Sequence, residues 1–153
     1  MRFATFVRGD LHILLWLHGA NAPPAAEFDA ACTAIQELKR KNPGLLGKLR
    51  MIVITDGGSP TSKQRAQLNV GALDSIGVKT AAISIALHSP IMRRIAQAVT
   101  WTQPLFKGYS PEQWRDALSY LGIEDKDVFE EAVRLQQDLS KPLETLAAIR
   151  AAM

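Results

Sequence analysis

The run Leu11-His12-Ile13-Leu14-Leu15-Trp16-Leu17 has the length of a β-strand and almost no polar alternation. A strand with one wet face alternates apolar and polar residues with period two, whereas a near-continuous apolar run has both faces covered. Covering both faces of a sheet takes helices, so this stretch by itself points to an α/β arrangement. Phe3 to Val7 reads as a strand joined to it by a hairpin turn at Arg8-Gly9-Asp10. Leu49 to Thr55, Val78 to Leu87 and the short Leu105 to Tyr109 read as three further strands.

Helical spacing fills the intervals. After Asn21-Ala22-Pro23-Pro24 the residues Phe28, Ala31, Cys32, Ile35 and Leu38 share a face, and Lys41-Asn42-Pro43-Gly44 ends the helix. A second helix is expected from about Pro60 to Ser75 and a third after Ser89-Pro90. A fourth starts at Ser110-Pro111-Glu112-Gln113, with Trp114, Ala117, Leu118 and Leu121 turned inward. Three helices thus begin with Ser-Pro, a pair in which serine can cap free amides and proline takes the first helical position. Ser110 with Gln113 makes a capping box, and Thr61 with Gln64 offers a second frame beside Ser59-Pro60.

The 153 residues suit one domain of common size, and 47% hydrophobic residues supply a core. The net charge of +3 is modest. Its only dense basic cluster, Lys39-Arg40-Lys41, sits at a helix end where cations oppose the dipole, so no nucleic-acid partner is implied. Cys32 is the single cysteine, which rules out an internal disulfide and points to a reducing, cytoplasmic setting. Asp10 and His12 interrupt the apolar N-terminal stretch, so it reads neither as a leader nor as a membrane span. No His or Cys pair has metal-ligand spacing, and no cofactor motif is present. After Gly122, Val128 to Leu139 and Leu143 to Ile149 form a helical tail interrupted by Pro142.

The order β-β-α-β-α-β-α-β-α with a helical tail resembles the STAS domain, the fold of anti-sigma-factor antagonists, and the allied SpoIIAA-like group. The resemblance covers roughly residues 3–122 and rests on the strand Arg50 to Thr55 with its turn, and on the unit from Ile83 through Ser89-Pro90 to Arg94. Thr55 to Arg65, with Trp101 after the third helix, is also similar to bacterial STAS/SEC14-type proteins. The division implied is a STAS-like α/β domain over 1–122 and a helical extension over 123–153, packed on the domain or at a homodimer interface. In antagonist STAS domains the loop before the second helix carries Asp-Ser-Ser-Gly or a relative, and its serine is phosphorylated. Here Asp56 matches, Gly57, Gly58 and Ser59 follow, and Pro60 stands where a glycine is usual. The strand also runs into the motif without the usual spacer.

The loop Asp56 to Arg65 is the main candidate site: Asp56, Gly57, Gly58, Ser59, Lys63 and Arg65. The glycines can aim amides at one point and the cations lie within the first helical turns, a setting that suits an oxyanion. Asp56 opposes an anion, and can instead bind a metal or cap the second helix itself. Turn and cap, regulatory or partner-binding loop, and anion site therefore stay open here; the pattern is not that of a nucleotide P-loop. His18, His88 and Ser89 are secondary candidates because they end strands, and strand C-termini share one edge in an open sheet. The expected role is non-catalytic, a regulatory or protein-interaction module with a protein partner. One alternative is a carrier of a small apolar ligand or lipid. The other is a small hydrolase or phosphoryl-transfer enzyme using Asp56, Ser59 and His88, for which no Gly-x-Ser-x-Gly elbow is present.

Overall fold

Apolar runs of strand length separated by helical patterns give a five-stranded mixed sheet in the computed structural model, which describes residues 1–44, 47–68, 81–86, 106–123 and 125–153. The strands are β1 (Arg2–Arg8), β2 (Leu11–His18), β3 (Leu49–Thr55), β4 (Ala81–Ala86) and β5 (Phe106–Tyr109). They lie side by side in chain order. β1 pairs antiparallel with β2 through the hairpin at Gly9-Asp10, and every later pair is parallel.

The described helices are α1 (Ala25–Lys41), α2 (Ser62–Ala66), α3 (Trp114–Leu121, entered through a 3-10 turn at Pro111–Gln113), α4 (Asp125–Gln136) and α5 (Glu144–Ala152). The expected second helix beyond Leu68 and the expected third helix lie outside the described residues.

The two sheet faces build separate cores, and the alternation along each strand decides which residue joins which. Leu14 and Trp16 of β2 with Leu49 and Met51 of β3 meet Phe28, Ala31, Cys32 and Ile35 of α1. Trp16 and Phe28 pack edge to face with ring centres 5.4 Å apart. On the other face Ile13, Leu15, Leu17, Ile52, Ile54, Ile83 and Ile85 meet α3, α4 and α5. The parallel β2-α1-β3 unit lays α1 over one face, and the C-terminal helices cover the other. The apolar run of β2 is thus explained by cover on both faces, and Ile13 through Leu17 are all buried.

Local signals match the start of the C-terminal layer. The backbone N–H and hydroxyl of Ser110 donate to Gln113 Oε1 at 3.2 and 3.4 Å. Trp114, Ala117, Leu118 and Leu121 are the buried face of α3. Arg50 ties this layer to the sheet: its Nε donates to Leu121 O at 3.0 Å and its Nη1 to Gly47 O at 2.8 Å. Among the described residues no helix is long and apolar enough to cross a membrane.

Because α4 and α5 cover a sheet face, their removal should expose it. Val128, Phe129, Ala132, Leu135, Leu143, Leu146 and Ile149 all belong to that core. Their burial amounts to on the order of 10 kcal/mol of transfer free energy, comparable with a whole domain's stability. A chain ending after Gly122 should lose its cooperative thermal transition and bind the dye ANS. A truncated protein that still melts sharply would show that these helices are dispensable cover.

Candidate functional site

Period-two alternation determines what the end of β3 can do. Leu49, Met51 and Val53 face α1, so Thr55 falls on that side. Ile52 and Ile54 face the C-terminal helices, so Asp56 follows on theirs. Two neighbouring residues therefore serve opposite layers.

On the α1 side Thr55 stands beside His18, its register partner at the end of β2. Both side chains are buried. Thr55 Oγ1 lies 3.2 Å from His18 Nδ1 and accepts the Gly57 N–H at 3.1 Å. It also reaches Gly58 O at 3.1 Å. The backbone repeats the link: Asp56 N–H donates to His18 O at 3.3 Å and Gly58 N–H to Gly19 O at 3.1 Å. The loop after β3 is thus stitched to the loop after β2. Gly57 holds a φ of +114°, a conformation that side chains other than glycine rarely adopt. At Gly58 a Cβ would stand 2.2 Å from Asn21 O and 2.4 Å from Gly19 O. The two glycines therefore serve a turn and a close backbone approach.

On the other side Asp56 acts as a helix cap at long range. Its Oδ2 accepts the Glu144 N–H at 3.1 Å and its Oδ1 accepts the Thr145 N–H at 2.9 Å. The Thr145 hydroxyl donates to Thr55 O at 2.8 Å. These are the first amides of α5, whose own N-cap residue, Leu143, has no side chain to offer them.

The rest of the loop is divided between anchored and open groups. Thr61, not Ser59, caps α2: Gln64 N–H donates to Thr61 Oγ1 at 3.2 Å and Thr61 N–H to Gln64 Oε1 at 2.8 Å. Gln64 also donates to Pro23 O at 2.8 Å, which docks α2 beside the start of α1. Arg65 folds back on Pro60 O and on Ser62 Oγ. Ser59 is half-buried, and its hydroxyl makes no hydrogen bond among the described residues. Lys63 is exposed and has no ion-pair partner among them.

Of the candidates read from the sequence, the structure brings Asp56, Gly57, Gly58 and His18 together through Thr55, and leaves Ser59, Lys63 and Arg65 on the outer side of the same loop. His88 and Ser89 lie outside the described residues. No cluster of three or more His, Cys, Asp or Glu able to hold a metal occurs among the described residues. Sequence reasoning passed over Thr55 and Thr145. Thr55 carries a signal in its register with His18, whereas nothing near Thr145 announces its partner.

Burial pushes the His18 pKa down to about 4, against the opposing effects of the Gly19 backbone bond and the Asp56 charge. Above pH 6.5 the imidazole is neutral in the folded and the unfolded chain alike. Between pH 6.5 and about 4 the unfolded chain takes up the proton and the folded chain does not, so stability falls as the pH falls. The difference corresponds to about 3 kcal/mol at the acid end. The carboxyls of Glu27, held by the N-terminal ammonium, and of Glu131, held by Arg134, are also lowered and add to the fall in the same direction at the acid edge of this window. Urea unfolding of wild type should show that slope, and His18→Gln should reduce it between about pH 6.5 and 5, where the carboxyls contribute least. A wild-type profile that is flat across the window would mean the imidazole is accessible to protons.

Gly58→Ala should cost about 3 kcal/mol, because the atoms it strikes are backbone and cannot rotate away. A shift in urea midpoint equivalent to under about 1 kcal/mol would show that the two loops separate easily. No protein-family model, no curated protein and no solved structure matches this chain, which leaves its own residues to argue its role.

Proposed function

We propose that the chain is a non-catalytic regulatory or protein-interaction module of STAS or SpoIIAA-like type. Its working surface is the loop from Asp56 to Arg65, which meets a protein partner and responds to modification of Ser59. The observation that carries this reading is the division of labour within the loop. Its base is fixed by buried bonds through Thr55, and its cap duty falls to Thr61. Ser59 is then left with a hydroxyl that makes no hydrogen bond among the described residues, on the same loop as the exposed Lys63. A firmly held backbone presenting uncommitted polar groups suits recognition, because little order remains to be imposed on binding.

The five-stranded mixed sheet with its helices is of the α/β class that this family reading requires. Asp56 bears against the hydrolase alternative, since both its oxygens are engaged in capping a helix. The apolar faces of α4 and α5 are turned to the sheet, which favours the loop over the tail as the partner surface. A cytoplasmic setting belongs to the same proposal.

Ser59→Asp and Lys63→Glu should each change what the protein captures from extracts of its host by tenfold or more. Ser59→Ala should leave the melting temperature within a degree or so, because Thr61 is the cap; Thr61→Ala should cost about 1 kcal/mol. If both charge variants capture the same proteins as wild type in the same amounts, the loop is not the partner surface.

A further inference from the structure

The loop is joined to the last helix by more than proximity, and the join has the form of a latch. We propose that Asp56 and Thr145 couple the loop to α5, so that rearranging the loop releases the first turn of α5, and loosening α5 frees the loop. This rests on the reading of the loop as a binding surface and adds a route by which its state is transmitted.

Three observations converge. First, the amides of Glu144 and Thr145 are held by Asp56, 88 and 89 residues away in the chain, and Leu143 supplies no side-chain cap. Second, the Thr145 hydroxyl is buried on Thr55 O, and the side chain of Thr55 holds the Gly57 N–H. One residue pair thus fixes both the loop turn and the helix start. Third, the segment 137–142 between α4 and α5 is largely exposed, with only Leu139 and none of its other residues packed on the core. The helix is therefore secured by its cap, by Gln136 Oε1, which accepts the Leu143 N–H at 2.8 Å, by Arg115, which donates to Met153 O at 3.1 Å, and by Leu143, Leu146 and Ile149, and only the cap comes from the loop. Asp56 is half-exposed, so its bonds to α5 sit where a partner of the loop can disturb them.

The two ends are linked reciprocally: whatever free energy the loop's rearrangement takes from α5, loosening α5 returns to the loop. A helix of nine residues has little order of its own, so losing its cap has consequences within the first turn.

Amide hydrogen exchange on the full chain tests this. Gly57→Ala forces a side chain into φ +114° and moves the turn without touching α5. It should speed exchange over residues 144–149 about tenfold relative to α1 and β2. Thr145→Val, which removes the hydroxyl that donates to Thr55 O, should speed exchange at Gly57 and Gly58. Ile52→Ala, a core variant, should speed exchange in all elements together and serves as the control. Should Gly57→Ala fold poorly, Asp56→Asn gives the same reading at α5. The latch is overturned if α5 exchanges at the wild-type rate in Gly57→Ala or Asp56→Asn, or accelerates only in step with α1. Failure of the partner surface would show instead in the capture experiment, with these exchange patterns intact.

Discussion

Side chains along a strand alternate between faces, and at the end of β3 this places Thr55 and Asp56 on opposite layers of the molecule. Thr55 is drawn into the α1 side beside His18, and Asp56 reaches the C-terminal helices. A one-residue slip of β3 would turn Thr55 to the other face, and in one direction would put the Asp56 carboxylate against the buried imidazole. The apolar residues of β3 guard against that slip. Ile52 and Ile54 are fully buried against one layer and Leu49 and Met51 against the other, so the register is fixed by core packing well before the loop begins.

The buried network beneath the loop has a chemical reason. A histidine with 2% exposure is cheaply held only as the neutral imidazole, and it then needs a neutral partner. Thr55 meets that need, and its hydroxyl also serves the Gly57 amide and the Gly58 carbonyl. Polar groups that would otherwise be orphaned at a strand end are satisfied within the loop itself. The glycines follow from this tight closure: Gly58 passes within van der Waals contact of the backbone of Gly19 and Asn21, which excludes a side chain.

Much of the fold was legible because it is local or periodic. The β2 run announced cover on both faces. The spacing of Trp114, Ala117, Leu118 and Leu121 gave the buried face of α3, and Ser110 with Gln113 gave its entry. At the loop the two capping frames were both visible, and geometry chose Thr61 and Gln64 over Ser59 because Gln64 can also bond Pro23 O. A cap was among the options for Asp56, but for α2, which Thr61 caps; Asp56 serves α5 instead. Which helix it caps has no local signature: the recipient amides lie 88 and 89 residues downstream, and any oxygen could serve them. Thr145 was invisible for the same reason. An alternating apolar run reports a face, but a hydrogen bond across the molecule leaves no pattern in the sequence.

The missing cap of α5 gives the arrangement its meaning. Pro142 breaks the tail, and Leu143 then occupies the position where serine, threonine or aspartate would stabilise a self-sufficient helix. A chain that needed α5 only as permanent cover would be better served by a local cap, which does not depend on another element's conformation. Here the cap is supplied by the loop, at the one residue where β3 turns from the sheet toward Gly57. The cap on the first turn of the helix thus lasts only while the loop keeps its shape. Leu143, Leu146 and Ile149 hold its apolar side to the sheet whatever the loop does. Loss of Asp56 would therefore loosen the first turn without unfolding the layer, a limited response of the kind a signalling surface requires.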